Sequence, residues 1–258
     1  MPTAAGLYYF AHEGGGSSKP PLILIHGMGG SHLSWPPEIR RMPDLRVFSV
    51  DLPGHGKSPG PGLQSVHDYG QRIVALMDAI GLSRAVVAGH EIGGAIALAI
   101  ALDRPERTAG IALIASGARL PVASTILENA ANASTLPLAV KELYEGSLGP
   151  QVSEVLAETI HAGLASARQA LIFGDLLACD QFDASGRLDA VRTPALVVCG
   201  TEDKLTPVRF SETLASGIPG AALQIVDGAG HMLMLEQPRR LAGLLSIFLT
   251  TIPYLPGM

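Results

Sequence analysis

Short apolar runs alternate along the chain with longer segments in which apolar residues recur every three to four positions. Six of the short runs are rich in Val, Ile and Leu, which is typical of strands that are covered on both faces of a parallel sheet. These runs are 22–26, 46–50, 84–88, 110–115, 195–199 and 222–226. The alternation predicts βα units, an α/β fold and one domain over residues 1–258.

Periodic segments between the apolar runs predict helices, several of which begin beside Ser, Thr or Pro. They cover residues 31–41, 65–80, 92–102, 208–216 and 238–250. Gly81, directly after the second segment, is expected to cap that helix. The short GGGSS stretch at 14–18 predicts a flexible turn.

The region from about residue 118 to 188 interrupts the alternation. It lacks strand signals and instead contains four successive patterns rich in Ala and Leu, at 124–132, 138–145, 153–162 and 167–178. We expect a helical insertion over one edge of the sheet, which is a candidate lid.

Composition excludes several classes of function. The formal net charge is −5 and no cluster of Lys and Arg is present, so a nucleic-acid partner is not expected. Cys179 and Cys199 are too few for a disulfide framework, and no spacing of metal ligands or dinucleotide-binding loop is present, so we expect neither metal nor cofactor. The first residues lack a secretion signal, and the apolar run at 92–102 falls short of the roughly 20 residues of a membrane span, so a cytoplasmic location is the expectation.

The segment RAVVAGHEIGG at 84–94 contains a strand pattern, then Gly-x-Glu-x-Gly, then a helix pattern. A strand that turns abruptly into a helix strains its central residue and brings residues two positions on either side close together. Gly89 and Gly93 remove the side chains that would collide. Glu91 is then placed at a helix N-terminus, where backbone N–H groups and the helix dipole favour negative charge.

With serine at position 91 this corner would be the nucleophile elbow of the α/β hydrolases. Four further motifs of that family occur in the expected chain order, two before the corner and two after it. They are His26-Gly27-Met28-Gly29-Gly30, Asp51 to Ser58 (DLPGHGKS), Gly200 to Pro207 (GTEDKLTP) and Gly228 to His231 (GAGH). The chain therefore resembles the α/β-hydrolase superfamily over nearly its whole length, and a serine carboxylesterase in particular.

This resemblance implies a mostly parallel sheet with helices on both faces, and it implies roles for particular residues. The backbone N–H groups of Met28 and Ile92 would form an oxyanion hole. His231 would be the base of a triad, and Asp203 would be the acid that orients it. Glu202 and Asp227 are alternatives for the acid, but the G-x-x-D-x-x-x-P spacing favours Asp203. Trp35, just after the oxyanion loop, is a candidate substrate-binding residue in the wall of the pocket, although core packing is the favoured alternative for it.

Two further histidines, each the single histidine of its motif, are expected to be structural. His55 lies in the DLPGHGKS turn and is expected to orient a loop. His90, beside position 91, is expected to pack under the elbow.

Glu91 departs from the family pattern, because a carboxylate has no proton to give at neutral pH. It would instead raise the pKa of His231 by attraction. The ordinary acyl-transfer mechanism is therefore not available to the sequence as it stands.

Three interpretations of Glu91 remain open. In the first, it is a carboxylate that attacks an alkyl electrophile such as an epoxide, or that activates water. The relevant relatives, however, carry Trp where this chain has Ile92, or Pro where it has Gly29, and they take ring-opening tyrosines from a lid whose only tyrosine here is Tyr144.

In the second interpretation, Glu91 replaces the serine of an esterase scaffold, whether introduced or natural. In the third, the chain is a non-catalytic, ligand-binding descendant. We favour the second, a hydrolase of small to medium apolar esters with altered or lost activity. Attack of a carboxylate on an ester would have to expel an alkoxide, which is a far stronger base than the attacking group.

Overall fold

The computed structural model describes residues 2–14 and 19–253. Residues 15–18, most of the predicted GGGSS turn, lie outside the described residues. Within the described part, eight strands form one sheet in the order β1-β2-β4-β3-β5-β6-β7-β8. The strands are β1 (Thr3–Ala4), β2 (Leu7–Glu13), β3 (Leu22–Ile25), β4 (Arg46–Val50), β5 (Ala85–His90), β6 (Thr108–Ile114), β7 (Ala195–Gly200) and β8 (Ala222–Val226).

The six strands from β3 to β8 are parallel, as the sequence predicted, and their bounds differ from the predicted ones by at most two residues. The first two strands were not predicted. β1 pairs antiparallel with β2, and β2 pairs antiparallel with β4. The mostly parallel α/β fold is therefore confirmed, with an antiparallel extension at one edge.

Ten α-helices flank this sheet in the described residues. They are α1 (Pro37–Arg40), α2 (Val66–Ala79), α3 (Ile92–Asp103), α4 (Ser124–Ala130), α5 (Leu136–Ser147), α6 (Glu154–Ser166), α7 (Gln169–Asp180), α8 (Val208–Gly217), α9 (Leu233–Glu236) and α10 (Pro238–Thr251). Gly81 follows α2 with a φ of 71°, as a capping glycine requires.

Both faces of the sheet are covered. Ile23 and Ile25 face a core shared with α2 and α3, while Leu22 and Leu24 face a second core shared with α1 and α10. Successive residues of a strand point to opposite faces, so a strand buried on both sides must be apolar throughout. This explains why the strands appear in the sequence as continuous apolar runs.

The helix predicted over 31–41 is shorter than expected. The structure has a 3-10 turn at His32–Ser34 and then the four-residue α1. Pro36 and Pro37 explain the break, since proline lacks an N–H and disfavours helical backbone in the residue before it.

Helices α4 to α7 follow each other between β6 and β7, within the region in which the sequence predicted a lid. They share a small apolar core of their own, made of Ile126, Ala130, Ala139, Val140, Leu143, Ile172 and Leu176. Met28, in the loop after β3, packs against this core. The insertion thus contacts the loop at the carboxyl end of the central strands.

The closest backbone approach lies where β5 turns into α3. A Cβ at Gly89 would overlap the carbonyl oxygen of Gly93, and a Cβ at Gly93 would overlap the carbonyl oxygen of Ile25. Both obstacles are backbone atoms, so a change of side-chain rotamer cannot remove them.

We therefore expect Gly89→Ala to lower the free energy of unfolding by about 3 kcal/mol or more, at the upper end of the cost of overpacking. The matched control is Gly243→Ala, which is exposed inside α10 with open space around the added methyl group. It should stabilise the chain by about 0.5–1 kcal/mol, because alanine is the better helix former. Urea unfolding of both variants measures this; equal effects would contradict the close packing of the corner.

Candidate active site

The predicted site residues lie at the carboxyl ends of parallel strands. Met28 follows β3, Glu91 follows β5, Asp203 follows β7 and His231 follows β8. Since the carboxyl ends of parallel strands meet at one edge of the sheet, these residues converge there. Met28, Glu91 and His231 line one cavity, and Asp203 is bonded to His231 behind it.

Glu91 has a strained backbone. Its φ is 52° and its ψ is −115°, which is outside the regions that residues with a side chain normally occupy. The strain is held from several directions: the N–H of Glu91 donates to Ile114 O at 3.0 Å, and its carbonyl accepts from Gly94 N and from Ser116 Oγ at 2.9 and 2.8 Å. The side chain of Glu91 is thereby fixed toward the cavity.

The Glu91 carboxylate is bound by the backbone of the loop after β3. Oε2 accepts from Met28 N at 2.6 Å, and the nearby N–H of Ile92 helps to lower the pKa of the carboxyl. The other oxygen, Oε1, lies 3.4 Å from the thiol sulfur of Cys179 on α7. Of the two N–H groups that the sequence predicted as an anion-binding pair, that of Met28 therefore donates to Glu91 itself, and that of Ile92 stabilises the same carboxylate.

Asp203 and His231 form a buried pair. The Nδ1 of His231 lies 3.0 Å from Asp203 Oδ2, and Thr206 Oγ1 donates to the same oxygen at 2.6 Å. The backbone N–H groups of Leu205 and Thr206 donate to Asp203 Oδ1 at 2.9 and 2.8 Å. Because every oxygen of this carboxylate is satisfied, its orientation and that of the imidazole are fixed.

Two further contacts hold the backbone of His231 in place. The N–H of His231 donates to Ser147 O at the end of α5, at 2.9 Å, and the carbonyl oxygen of His231 lies 3.0 Å from Nε2 of His90. Burial and the nearby His231 lower the pKa of His90 to about 3. A neutral His90 that donates to a backbone carbonyl has a positioning role under the elbow.

The charges of the site influence each other. Burial raises the pKa of Glu91 above its ordinary value, although attraction to His231 and the two backbone N–H groups oppose this. Burial alone would lower the pKa of His231, but the charge and hydrogen bond of Asp203, together with the charge of Glu91, raise it above its ordinary value. The imidazole is therefore held toward its protonated form.

The cavity has a volume of about 780 Å³ and lies between the sheet edge and the helical insertion. Its lining is mainly apolar, and many of the lining residues come from the insertion, with Ile126, Leu143, Ile160, Leu164 and Leu176 as examples. A chamber of this size accommodates a small to medium organic molecule.

The prediction that Trp35 walls this cavity is wrong. Its side chain is fully buried in the core on the α1 and α10 side of the sheet, packed with Leu24 and Ile39, and it does not contribute to the cavity lining. Residue 35 follows the loop after β3 closely in sequence, but its side chain enters the core shared with α1 and α10. Proximity in sequence therefore did not mean proximity to the cavity. Tyr144 is also absent from the lining; its ring packs on His161.

Asp175, which sequence reasoning missed, connects the insertion to the loops below it. This fully buried carboxylate on α7 accepts from Gly29 N at 3.0 Å and from Tyr69 Oη at 2.7 Å, and it lies 2.9 Å from Nε2 of His55. Burial alone would lower the pKa of His55, but the hydrogen bond and charge of Asp175, together with the carbonyl of Pro53 and the charge of Asp51, raise it above its ordinary value. His55 thus orients a loop by pairing with α7.

A signal for this carboxylate existed in the sequence. Asp175 is a lone acid within the apolar stretch LIFGDLLA, and a charged residue on the buried side of a helix needs partners. Thr206 lay inside the GTEDKLTP motif, but its hydroxyl contact with Asp203 could be seen only in three dimensions.

Sequence comparison establishes the family. A model of the alpha/beta hydrolase family matches residues 22–244. The chain belongs to the α/β-hydrolase family. A relative from Caulobacter sp. (strain K31), named "Putative carbamate hydrolase RutD", is 30% identical over 248 residues, which are 92% of this chain and 92% of that protein. A 2-hydroxymuconate semialdehyde hydrolase from Pseudomonas putida is 30% identical over 250 residues, covering 89% of this chain and 86% of that one.

Solved structures of the same fold agree. The α/β hydrolase described here is similar to Est816, an N-acyl homoserine lactone degrading enzyme, with a TM-score of 0.84 and 28% identity over 94% of this chain and 96% of that one. A thermophilic esterase from Thermogutta terrifontis gives a TM-score of 0.84 with 25% identity, covering 95% and 93%. The chain is therefore an enzyme of the α/β-hydrolase fold.

Neither a membrane-spanning helix nor a metal-binding cluster occurs in the described residues of this α/β hydrolase. In 2–14 and 19–253, no helix is long and apolar enough to cross a bilayer. Over the same ranges, no group of three or more His, Cys, Asp and Glu residues is arranged to hold a metal ion.

The raised pKa of Glu91 predicts a stability change that depends on pH. A carboxyl whose pKa is raised in the folded state contributes most stability below its unfolded pKa, and that contribution is lost as the pH rises through the folded pKa. Glu91→Gln keeps the shape and removes the charge. We expect its melting temperature to exceed that of the unmodified chain by several degrees at pH 7–8, with a gap that closes toward pH 4.5, each kcal/mol corresponding to about 2–4 °C.

The control for this experiment is the exposed Glu106→Gln, which should change the melting temperature little at any pH. A Glu91→Gln variant that melts below the unmodified chain at pH 8 would contradict a buried, destabilising carboxylate.

The hydrogen-bond network of Asp175 leads to a second prediction, which concerns the stability of the folded chain. In Asp175→Asn at least one of the three donors meets an amide NH₂ instead of an oxygen, so we expect a loss of about 1–3 kcal/mol in the free energy of unfolding. Glu158→Gln, an exposed acid on α6, should stay within about 0.5 kcal/mol of the unmodified chain. Denaturant unfolding distinguishes the two, and a neutral Asp175→Asn would show that the network contributes nothing.

Proposed function

We propose that this α/β hydrolase carries the active site of a carboxylic-ester hydrolase, with position 91 as the nucleophile position, and that Glu91 prevents ordinary acyl transfer there. Asp203 and His231 are the acid and base of the triad, and the N–H groups of Met28 and Ile92 are the oxyanion hole. Small to medium apolar esters are the substrate class.

The observation that carries this proposal is the 2.6 Å hydrogen bond from Met28 N to Glu91 Oε2. In acyl transfer, paired backbone N–H groups stabilise the negative oxygen that develops on the substrate carbonyl. Here a carboxylate oxygen of the protein occupies that place. Under this proposal the Glu91 carboxylate therefore occupies the oxyanion hole and blocks it for a substrate carbonyl.

The base is affected as well. His231 must be neutral to take a proton from a nucleophile, and it must be protonated to give one to a leaving group. The negative charge of Glu91 raises the pKa of His231 and holds it toward the protonated form. A serine at position 91 would supply a proton donor, vacate the hole and remove this charge in one change.

The substrate class follows from the cavity and from chemistry. The lining is mainly apolar, which favours uncharged substrates, and oriented N–H donors beside an imidazole suit attack on a carbonyl carbon. The relatives are named for carbamate and ester hydrolysis and for lactone degradation, and all three reactions proceed by such an attack.

Two alternatives for Glu91 are less favoured by the contacts. Opening of an epoxide needs an acid to protonate the leaving oxygen, and no tyrosine lines the cavity in the described residues. The Cys179 thiol also lies 3.4 Å from Oε1 of Glu91 and crowds the approach of an alkyl carbon or a water molecule to that oxygen.

Replacement of Glu91 tests the proposal. We expect Glu91→Ser to raise kcat/KM on p-nitrophenyl acetate by about 10³-fold or more over the unmodified chain, because it restores a nucleophile that works with the existing base and hole. Glu91→Ala vacates the hole without adding a hydroxyl, so it should show no comparable gain. In the Glu91→Ser background, His231→Ala should abolish the gain.

Other results would contradict the proposal in distinct ways. Turnover by the unmodified chain that equals or exceeds that of Glu91→Ser indicates native glutamate chemistry, and a mass increase on Glu91 after incubation with an epoxide indicates a carboxylate nucleophile. Ester binding without turnover by either chain indicates a ligand-binding protein.

A further inference from the structure

The side chain of Glu91 has the same skeleton as an acylated serine. In an acyl-serine the atoms run from Cβ to Oγ to a planar carbonyl carbon, which carries the carbonyl oxygen and the first carbon of the acyl group. In Glu91 they run from Cβ to Cγ to the planar Cδ, which carries Oε2 and Oε1. The two groups therefore branch at the same distance from the backbone.

The contacts determine which branch corresponds to which. Oε2 accepts the hydrogen bond of Met28 N at 2.6 Å, so it stands for the carbonyl oxygen of the ester. Oε1 then stands for the first carbon of the acyl group. A bond is neither made nor broken in this correspondence, which concerns shape alone.

Oε1 is directed at Cys179. Its distance to the sulfur is 3.4 Å, and Cys179 lines the cavity from α7. Cys179 is buried in the same packed core as Phe182 and Ala178, so its side chain has little room to move away and admit a longer group. Burial and the nearby Glu91 raise the pKa of this thiol well above its usual value, which makes it a neutral packing surface.

We propose that Cys179 is a specificity-determining residue on the acyl side of the substrate. Its sulfur is the wall beside the first acyl carbon, and it limits the enzyme to short acyl groups that are unbranched at that carbon. The inference rests on the proposed function, because an acyl-serine forms only if position 91 serves as the nucleophile position.

A binding experiment tests the wall without any turnover. Glu91→Ala leaves the N–H pair vacant, so a free straight-chain carboxylate can place one oxygen there and its chain beside Cys179. Calorimetric titration with acetate, butyrate and hexanoate should show affinity falling with chain length. Adding Cys179→Ala should raise the ratio of butyrate to acetate affinity by about three- to fivefold, which is the gain from burying one methylene group.

The matched control is Cys199→Ala in the same background. Cys199 is also a buried free cysteine, but it lies in β7 outside the cavity lining of the described residues, so the affinity ratio should not change. Cys179→Val enlarges the wall and should shift the preference toward acetate. It keeps the test valid if the Cys179→Ala chain does not fold.

A kinetic experiment in the Glu91→Ser background separates the two sides of the ester. Cys179→Ala should increase the relative kcat/KM for p-nitrophenyl butyrate over p-nitrophenyl acetate. It should leave unchanged the relative kcat/KM within a series of acetate esters that differ only in the alcohol.

The outcomes are distinguishable. No ester turnover by Glu91→Ser, together with the expected shift in carboxylate binding, contradicts the proposed function but supports the acyl-side wall. A shift in the alcohol series, equal behaviour of Cys179→Ala and Cys199→Ala, or no carboxylate binding by Glu91→Ala overturns the assignment of Cys179.

Discussion

The site depends on the tight corner between β5 and α3. At this corner a Cβ on Gly89 would overlap the backbone of Gly93, and a Cβ on Gly93 would overlap the backbone of Ile25. The residue between the two glycines takes a φ of 52° and a ψ of −115°. Strain of this kind persists only where surrounding contacts hold it. Here Ile114 and Ser116, at the end of the neighbouring strand β6, provide them. The corner therefore fixes where side chain 91 points, whichever residue is present.

With glutamate at the corner, the electrostatics of the cavity follow from the position of one carboxylate. It accepts the hydrogen bond of Met28 N in the predicted oxyanion hole, raises the pKa of His231 and contacts the Cys179 thiol. Each of these groups would have another task in acyl transfer: the donors on the carbonyl oxygen, the imidazole as base, and the thiol as a wall for the acyl group. A single carboxylate thus accounts both for the assembled appearance of the site and for the proposed loss of acyl transfer.

The parts of the molecule that were predictable from sequence are those with strong local constraints. The paired glycines around Glu91 mark a backbone corner, and the apolar runs of β3 to β8 mark strands buried on both faces. Asp203 and His231 follow such strands within short motifs, so their convergence at one sheet edge could be expected. The antiparallel strands β1 and β2 have no such signature, since residues at a sheet edge are covered less uniformly.

Residues whose position depends on the insertion were not predictable in this way. Asp175 and Cys179 lie on α7, more than eighty residues from Glu91 in sequence, and only the packing of that helix brings them to the oxyanion loop and to the carboxylate. For Trp35 the error was the opposite one, because a residue close in sequence to the site was assigned to it. Trp35 lies a few residues after the loop that follows β3, yet its ring enters the core shared with α1 and α10.

The position of the Glu91 carboxylate is the central claim, and a crystal structure of the unmodified chain at pH 7–8 tests it most directly. The account predicts one carboxylate oxygen within about 3.2 Å of the backbone nitrogens of both Met28 and Ile92, with the other oxygen against Cys179. A carboxylate turned into the open cavity or paired with the imidazole of His231, with water in its place between the two N–H groups, would contradict it.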